Sequence, residues 1–346
     1  MRRDYQEEKL LLTFTNKGIY CPQADVFIDP WKPVPRALVT HGHSDHARWG
    51  NKHYLCTHSA KPVIQYRLGQ QISIDSVEFG ETVTINGVQF SFHPAGHIIG
   101  SAQIRVEYKG EIWVVSGDYK VEPDNISEPF ELVKCHAFIT ESTFGLPVYR
   151  WKSQQEVFDE MHEWWQQNQK DGKVSIVTAY SLGKAQRIIQ NLDHSIGPVF
   201  THGAVENTNE VIRNQGISLK STQKVGAHLK KADYKGGLVI CPGSALGTSW
   251  QKKFQPFSVA VASGWMTLRG ARRRRAVDRG FVLSDHADWD GLNSTIAATG
   301  AEKVFVTHGY TAIYSKWLRE QGYDAKVVET EYGTEEETPT NPEAAS

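Results

Sequence analysis

The chain has 346 residues, is 40% hydrophobic and 22% charged, and carries a formal net charge of −1. Those values suit a soluble globular protein of one large or two modest domains. They exclude nucleic-acid binding driven by whole-chain charge, so any such binding needs a local basic patch. Cys21, Cys56, Cys135 and Cys241 form no CxxC pair. That spacing argues against a cysteine zinc site and fits a reducing compartment. The charged first residues hold no apolar leader, and no apolar run reaches membrane-spanning length. A cytoplasmic location away from membranes is the expectation.

In chain order, the first half reads as short strands separated by Gly, Pro and Asn signals: residues 37–41, 88–93, 104–108 and 111–115, with Gly110 as a hairpin turn. Residues 153–169 read as an amphipathic helix with Val157, Met161, Trp164 and Trp165 on its apolar side, closed by Asp171-Gly172. From about residue 172 strands and helices alternate. Strands are expected at 174–179, 198–201, 238–241 and 257–262. Helices are expected at 181–192, opened by Ser181 as N-cap, and at 206–214. A helix near 311–321 and a strand at 325–328 close the folded part. Residues 331–346 are acidic, contain Pro and lack apolar pattern, so they are expected to be disordered.

The most informative segment is HGHSDH at His41–His46. Three imidazoles and a carboxylate this close are costly to desolvate without a partner, and a dinuclear metal site resolves that cost. His41 and His43 leave an extended segment in one direction, while Asp45 and His46 turn back toward a second ion. Imidazole nitrogen with carboxylate oxygen suits zinc, or manganese as a harder substitute. Further candidates close apolar runs: His97 in PAGHIIGS, Asp118 in SGDY, Glu141 in ESTFG, His286 in SDHAD and His308 in VTHG. Strand ends that deliver ligands into loops are how open sheets build sites. One histidine at a strand end is usually structural; five such stations beside an HxHxDH motif are not expected by chance. His53, His58, His93, His136, His162, His194, His202 and His228 lack such context and read as structural or surface residues.

The ordered motifs HGHSDH, AGH, GDY, EST, SDH and THG resemble those of metallo-β-lactamase-fold nucleases of the β-CASP group. The run SGWMTLRGARRRRAVDRGFVLSDHADW at 263–289 is similar to the bacterial ligase-associated DNA exonuclease family. The resemblance spans nearly the whole chain except the acidic tail. It implies an α/β fold, a metallo-β-lactamase αββα sandwich with an inserted β-CASP α/β domain. Residues 1–170 and 269–330 would form the first domain, 171–268 the insertion and 331–346 the tail.

The resemblance also implies roles. His41, His43, His97 and Asp118 would hold the first of two divalent ions, Zn or Mn. Asp45, His46, Asp118 and His308 would hold the second, with Asp118 bridging. Two cations about 3.5–4 Å apart activate water and stabilise phosphorane charge, which makes Asp45 and Asp118 catalytic through the metals. His286 would protonate the departing oxygen with Glu141 as its partner, although a ligand role for His286 and a plain surface salt-bridge role for Glu141 stay open. Asp29 would orient a ligand histidine, or else cap a turn before Pro30.

Phosphate and strand contacts are expected from helix-start amides at Ser181 and Gly183 with Lys184, and from the Ser263-Gly264 and Gly243–Gly247 loops. The basic run of Arg269, Arg272, Arg273, Arg274, Arg275 and Arg279 is a further expected contact. The alternatives are tight turns and a solvated helix face. Tyr180, Trp250 and Trp265 could stack on bases, or simply pack in the core. The expected function is a DNA exonuclease acting 5′ to 3′ on single strands or duplex ends in repair, beside a DNA ligase and a helicase. An RNA-processing β-CASP ribonuclease is the runner-up, since His308 is usual in RNA-directed members. A small-molecule metallohydrolase is third, disfavoured by the inserted block and His286.

Overall fold

The computed structural model describes residues 10–268 and 277–331. It is a mixed α/β protein with three sheets among the described residues. The first sheet takes β1 (Thr13–Thr15), β2 (Gly18–Cys21), β3 (Val26–Ile28), β4 (Arg36–Leu38), β5 (His53–Thr57) and β6 (Ile74–Val77) in sequence order. Its first three strands are antiparallel, and its last four run parallel. Helix α1 (Lys61–Leu68), which starts at Lys61-Pro62, lies between β5 and β6.

The second sheet is built from β7 (Thr82–Ile85), β8 (Val88–Pro94), β9 (Ala102–Tyr108), β10 (Glu111–Val115) and β11 (Ala137–Glu141). Two late strands, β18 (Lys303–Thr307) and β19 (Asp324–Val327), complete it. Gly110 turns β9 into β10, with Tyr108 opposite Glu111. β10, β11 and β18 run parallel, and β8 shares their direction through the antiparallel β9. The C-terminal ends of these four strands therefore fall on one edge of the sheet.

One apolar cluster joins Ile19, Val26, Ile28 and Leu38 of the first sheet to Phe90, Phe92, Ile104, Val106, Trp113 and Phe305 of the second. A second cluster sets Val114, Phe138 and Val306 against α5 (Trp289–Thr299) and α6 (Thr311–Glu320) through Leu292, Ile296, Tyr314 and Leu318. A third packs Val39, Tyr54 and Cys56 against Ile64 of α1. Burial of apolar area at roughly 25 cal/mol per Å² is what holds these layers.

The third sheet is wholly parallel, in the order β14 (Gln223–Lys224), β13 (Val199–Thr201), β15 (Leu238–Cys241), β12 (Val174–Thr178), β16 (Phe257–Ala262) and β17 (Arg279–Phe281). β12 and β15 are buried at every position, as expected for parallel strands covered on both faces. Helix α2 (Gln154–Lys170) begins with a capping box: Ser153 Oγ accepts from Glu156 N, and Glu156 Oε2 accepts from Ser153 N at 3.0 Å. Helix α3 (Lys184–Asn191) and α4 (Gly203–Arg213) lie between successive strands.

Three sequence expectations change. Helix α3 starts at Lys184, not Ser181, and its N-cap is Gly183 at φ +91° with no side-chain cap. Ser181-Leu182-Gly183 is instead a turn, and its Leu182 carbonyl faces His43 Nε2 at 3.2 Å. The strand before His286 is Arg279–Phe281 and pairs with β16 in the third sheet. Helices α1 and α5 carry weak periodicity and were not expected from the pattern. The Arg269 and Arg272–Arg275 run and residues 332–346 of the acidic tail lie outside the described residues. No described helix is long and apolar enough to cross a membrane.

Candidate metal centre

The site forms where the strand ends converge. The chain leaves β4 at Leu38 and reaches Thr40 and the HGHSDH turn. It leaves β8 toward His97, β10 toward Asp118 and β18 toward His308, while Glu141 is the last residue of β11. Gly117, between β10 and Asp118, has φ +56°, and an added Cβ would lie 2.8 Å from Thr40 Cβ. Only glycine lets the Asp118 loop approach the HGHSDH strand this closely. Asp29 and His308 are non-glycine residues at φ +43° and +53°. Such strain persists only where surrounding structure over-determines it, and it concentrates at functional sites.

Three groups of candidate ligand atoms result: His41, His43, His97 and Asp118 in one, Asp45, His46 and His308 in the next, and Asp118, Glu141 and His286 in a third. Asp118 stands between the first two. Its Oδ2 lies 3.6 Å from His41 Nε2, 3.9 Å from His97 Nε2 and 3.5 Å from His46 Nε2. Asp45 Oδ2 lies 3.8 Å from His46 Nε2 and 3.7 Å from His308 Nε2. His43 turns Nδ1 inward, 3.1 Å from His97 Nε2, and Nε2 outward to the Leu182 carbonyl.

The decisive feature is what these atoms lack. Both carboxylate oxygens of Asp45 and of Asp118, and Nε2 of His41, are buried with no hydrogen bond among the described residues. A buried carboxylate without partners costs several kcal/mol. Divalent cations remove that cost, and the donor set of imidazole and carboxylate suits them. Burial holds His43 down to about 4 and His97 down to about 3, so both are neutral and ready to ligate. Burial, then the neighbouring His46, holds His41 well below the usual range. Burial would raise Asp45 and Asp118, but the surrounding histidines, His46 and His308 first, together outweigh it and keep both ionised. On His46 itself burial is outweighed by Asp118, Asp45 and Asp29, which raise it.

Around the ligands, hydrogen bonds fix ring orientations. Asp29 Oδ2 accepts from His46 Nδ1 at 2.7 Å and from Thr40 Oγ1 at 2.6 Å, while Oδ1 accepts from Thr40 N at 2.8 Å. Thr40 Oγ1 is also 3.0 Å from His41 Nδ1. His97 Nδ1 donates to the Asp285 carbonyl at 2.8 Å. Carbonyls and carboxylates on the far ring nitrogen set the tautomer so that the inward nitrogen keeps its lone pair. Thr40, Leu182, Asp285 and Tyr119 were not singled out from the sequence. Thr40 was legible in principle, adjoining His41, whereas the backbone carbonyls of Leu182 and Asp285 leave no side-chain signal.

His286 stands beside this group, its ring 4.7 Å from that of His97. Its Nδ1 donates to Glu141, at 2.8 Å from Oε2. Glu141 Oε1 also accepts from Tyr119 N at 2.8 Å, and Trp151 Nε1 donates to the His286 carbonyl at 3.0 Å. Other sequence candidates are placed differently. Lys184 is buried, its Nζ 3.9 Å from Asp285 Oδ2 and 5.3 Å from the Tyr180 ring centroid. The Gly183 amide donates to Gln186 Oε1 at 2.7 Å. Ser263 Oγ accepts from Trp265 N at 3.2 Å to cap the short turn Gly264–Thr267.

No protein-family model matches the chain. A protein named Probable DNA ligase from Opitutus terrae is 29% identical over 314 residues, 90% of this chain and 30% of that protein. The Endoribonuclease YSH1 of Eremothecium gossypii is 31% identical over 124 residues, 35% of this chain and 16% of that protein. With the ordered motifs gathered into one site, these similarities support a β-CASP metallo-β-lactamase nuclease related to ligase-associated proteins. This chain spans under a third of the length of these two relatives. A crystal structure of a protein of unknown function from Enterococcus faecalis V583 superposes with a TM-score of 0.61 at 9% identity, over 86% of this chain and 80% of that one. That likeness is one of fold alone.

Proposed function

We propose that this β-CASP protein is a dinuclear-metal phosphodiesterase that degrades DNA from strand ends, 5′ to 3′ on single strands, in repair beside a DNA ligase. The observation that carries the hydrolase reading is the pair of buried carboxylates, Asp45 and Asp118, with no hydrogen bond inside two ligand groups. His41, His43, His97 and Asp118 would hold one ion, and Asp45, His46, His308 and Asp118 the other. Zinc or manganese bound there would supply Lewis-acid charge to a phosphoryl group and to water.

The chain's own residues would do the rest. With Nδ1 committed to Glu141, His286 presents Nε2 as the proton donor for the departing oxygen. Glu141 stabilises the imidazolium, and Tyr119 N holds Glu141 in place. Asp29 and Thr40 keep His46 and His41 in register.

The reading as an αββα sandwich with an inserted domain is supported by the apolar cluster shared by the first two sheets. The helices over their other faces add to it. The insertion expected over residues 171–268, whose sheet also takes in β17, and nucleic acid running in the cleft above the metals complete this reading. The DNA substrate and the ligase association rest on the likeness of nearly the whole chain to part of a protein named Probable DNA ligase. The endoribonuclease name of the other relative favours a second reading, RNA cleavage. A cytoplasmic location goes with either.

Purified protein supplied with zinc or manganese and given DNA and RNA strands labelled at either end separates these readings. Early mononucleotide release from a 5′ label on DNA is expected. Early release from a 3′ label reverses the polarity. Cleavage of circular single strands makes the enzyme an endonuclease, and strong preference for RNA of matched sequence promotes the second reading.

A further inference from the structure

A cavity of about 220 Å³ lies where the Asp118 loop, the start of α2, helix α3 and the segment after β17 meet. It backs onto Ser284, whose Oγ accepts from His286 N at 3.1 Å. Three residues that are nearly fully buried line it: Lys120 at 2% exposure, Arg187 at 3% and Ser284 at 3%. Each keeps donor capacity that its contacts leave unused. Lys120 Nζ donates to the Glu122 carbonyl and reaches Glu122 Oε2 only at 3.5 Å. Arg187 commits Nε to Gln154 Oε1 at 2.7 Å and Nη1 to the Ser284 carbonyl and Asp285 Oδ1. That leaves Nη2. The Ser284 hydroxyl receives one hydrogen bond, and no contact among the described residues uses its own proton.

Burying two cations that still have N–H groups to give is costly. A ligand that only accepts hydrogen bonds and carries negative charge offsets that cost. A cavity this small lies below the roughly 300–1,000 Å³ of ordinary organic-ligand pockets, so it admits a compact oxyanion and leaves any attached nucleoside outside. Of the acids near it, Glu122 is exposed and reaches Lys120 weakly. Asp285 is already held by Arg187, and Glu160 pairs with Lys152 at 2.6 Å on the rim.

We propose that this cavity is a binding site for a phosphate group, held by Lys120 Nζ, Arg187 Nη2 and Ser284 Oγ. It is separate from the metal centre and independent of which polymer the enzyme cuts. The phosphate is either free, as inorganic phosphate or a mononucleotide, or the terminal phosphate of a strand.

The test is calorimetric titration of inorganic phosphate into metal-loaded protein, wild type against Lys120→Gln and Ser284→Ala, with metal content measured for each. Bound metals also take phosphate, so the site is read as the component the variants change. Lys120→Gln should weaken that component about tenfold or more, the change expected of one charge-assisted hydrogen bond. Ser284→Ala should weaken it less, and both should keep full metal content. If Lys120→Gln does not fold, Ser284→Ala carries the test. Binding of wild-type affinity and stoichiometry in the folded variants overturns the proposal. Repeating the titration with a mononucleotide, and with a short strand bearing a 5′-phosphate or a 5′-hydroxyl, distinguishes the sources. Preference for the phosphorylated strand assigns the strand end; equal strand affinity beside mononucleotide binding assigns the free ligand.

Discussion

Two buried acidic positions in this chain have opposite surroundings. Glu206, in α4, is 6% exposed. Its Oε2 accepts from Thr201 Oγ1, Asn209 Nδ2 and Thr222 Oγ1, and its Oε1 from Arg213 Nη1 at 2.6 Å. Asp118 is 1% exposed, and neither oxygen has a hydrogen bond among the described residues. Burial alone therefore does not mark a functional carboxylate. Glu206 is a finished structural node that ties α4 to β13 and to the segment ahead of β14. Asp118 is an unfinished one, and what would finish it carries positive charge.

That contrast is sharpest when either residue is removed. Asp118→Ala should lose metal and drop cleavage to background, with both losses read on the same sample by metal analysis and end-labelled strands. Cleavage that survives in metal-poor Asp118→Ala protein would break the comparison. His286→Ala should keep its metals and lose about 10²–10⁴-fold in cleavage rate, the usual worth of a general acid. Loss of an ion from that variant would move His286 from the proton-donor role to the ligand set.

Asp29→Asn removes the charge behind His46 while keeping the shape. Metal affinity should fall about 10–100-fold by chelator competition, as is typical for groups that orient a ligand. An unchanged affinity would make Asp29 a turn residue only. Glu206→Gln, by contrast, should cost about 1–3 kcal/mol of folding stability through unsatisfied donors, seen in denaturant melts, with metal content unchanged. The smallest effect is expected from Arg272→Ala with Arg274→Ala. The salt dependence of strand binding should flatten by about one log–log unit per lost phosphate contact. An unchanged slope would mark that run as a solvated face.

Much of the site was legible in the sequence because metal ligands are side chains at short, fixed spacing. HGHSDH names four of the residues that the first two ligand groups contain, and each later motif closes an apolar run, which is how the sheet edge is reached. The antiparallel hairpin at Gly110 and the fully buried strands β12 and β15 were readable for the same reason, their period and punctuation. Residues acting through backbone atoms were not readable. The Leu182 and Asp285 carbonyls that hold His43 and His97 have no residue-type requirement. The turn at Ser181–Gly183 looked like a serine-capped helix start because the local signal is the same. A tertiary contact, His43 against the Leu182 carbonyl, accompanies the later start at Lys184. Lys184 reads as a phosphate contact beside a helix start, but Asp285, 101 positions later, gives its charge a buried partner.

The claim that two ligand groups share Asp118 is tested most directly by counting metal in protein purified without chelator or added metal. The account predicts close to two transition-metal equivalents per chain, falling together when Asp118 is replaced by Ala. Protein that is fully active yet metal-free would contradict it.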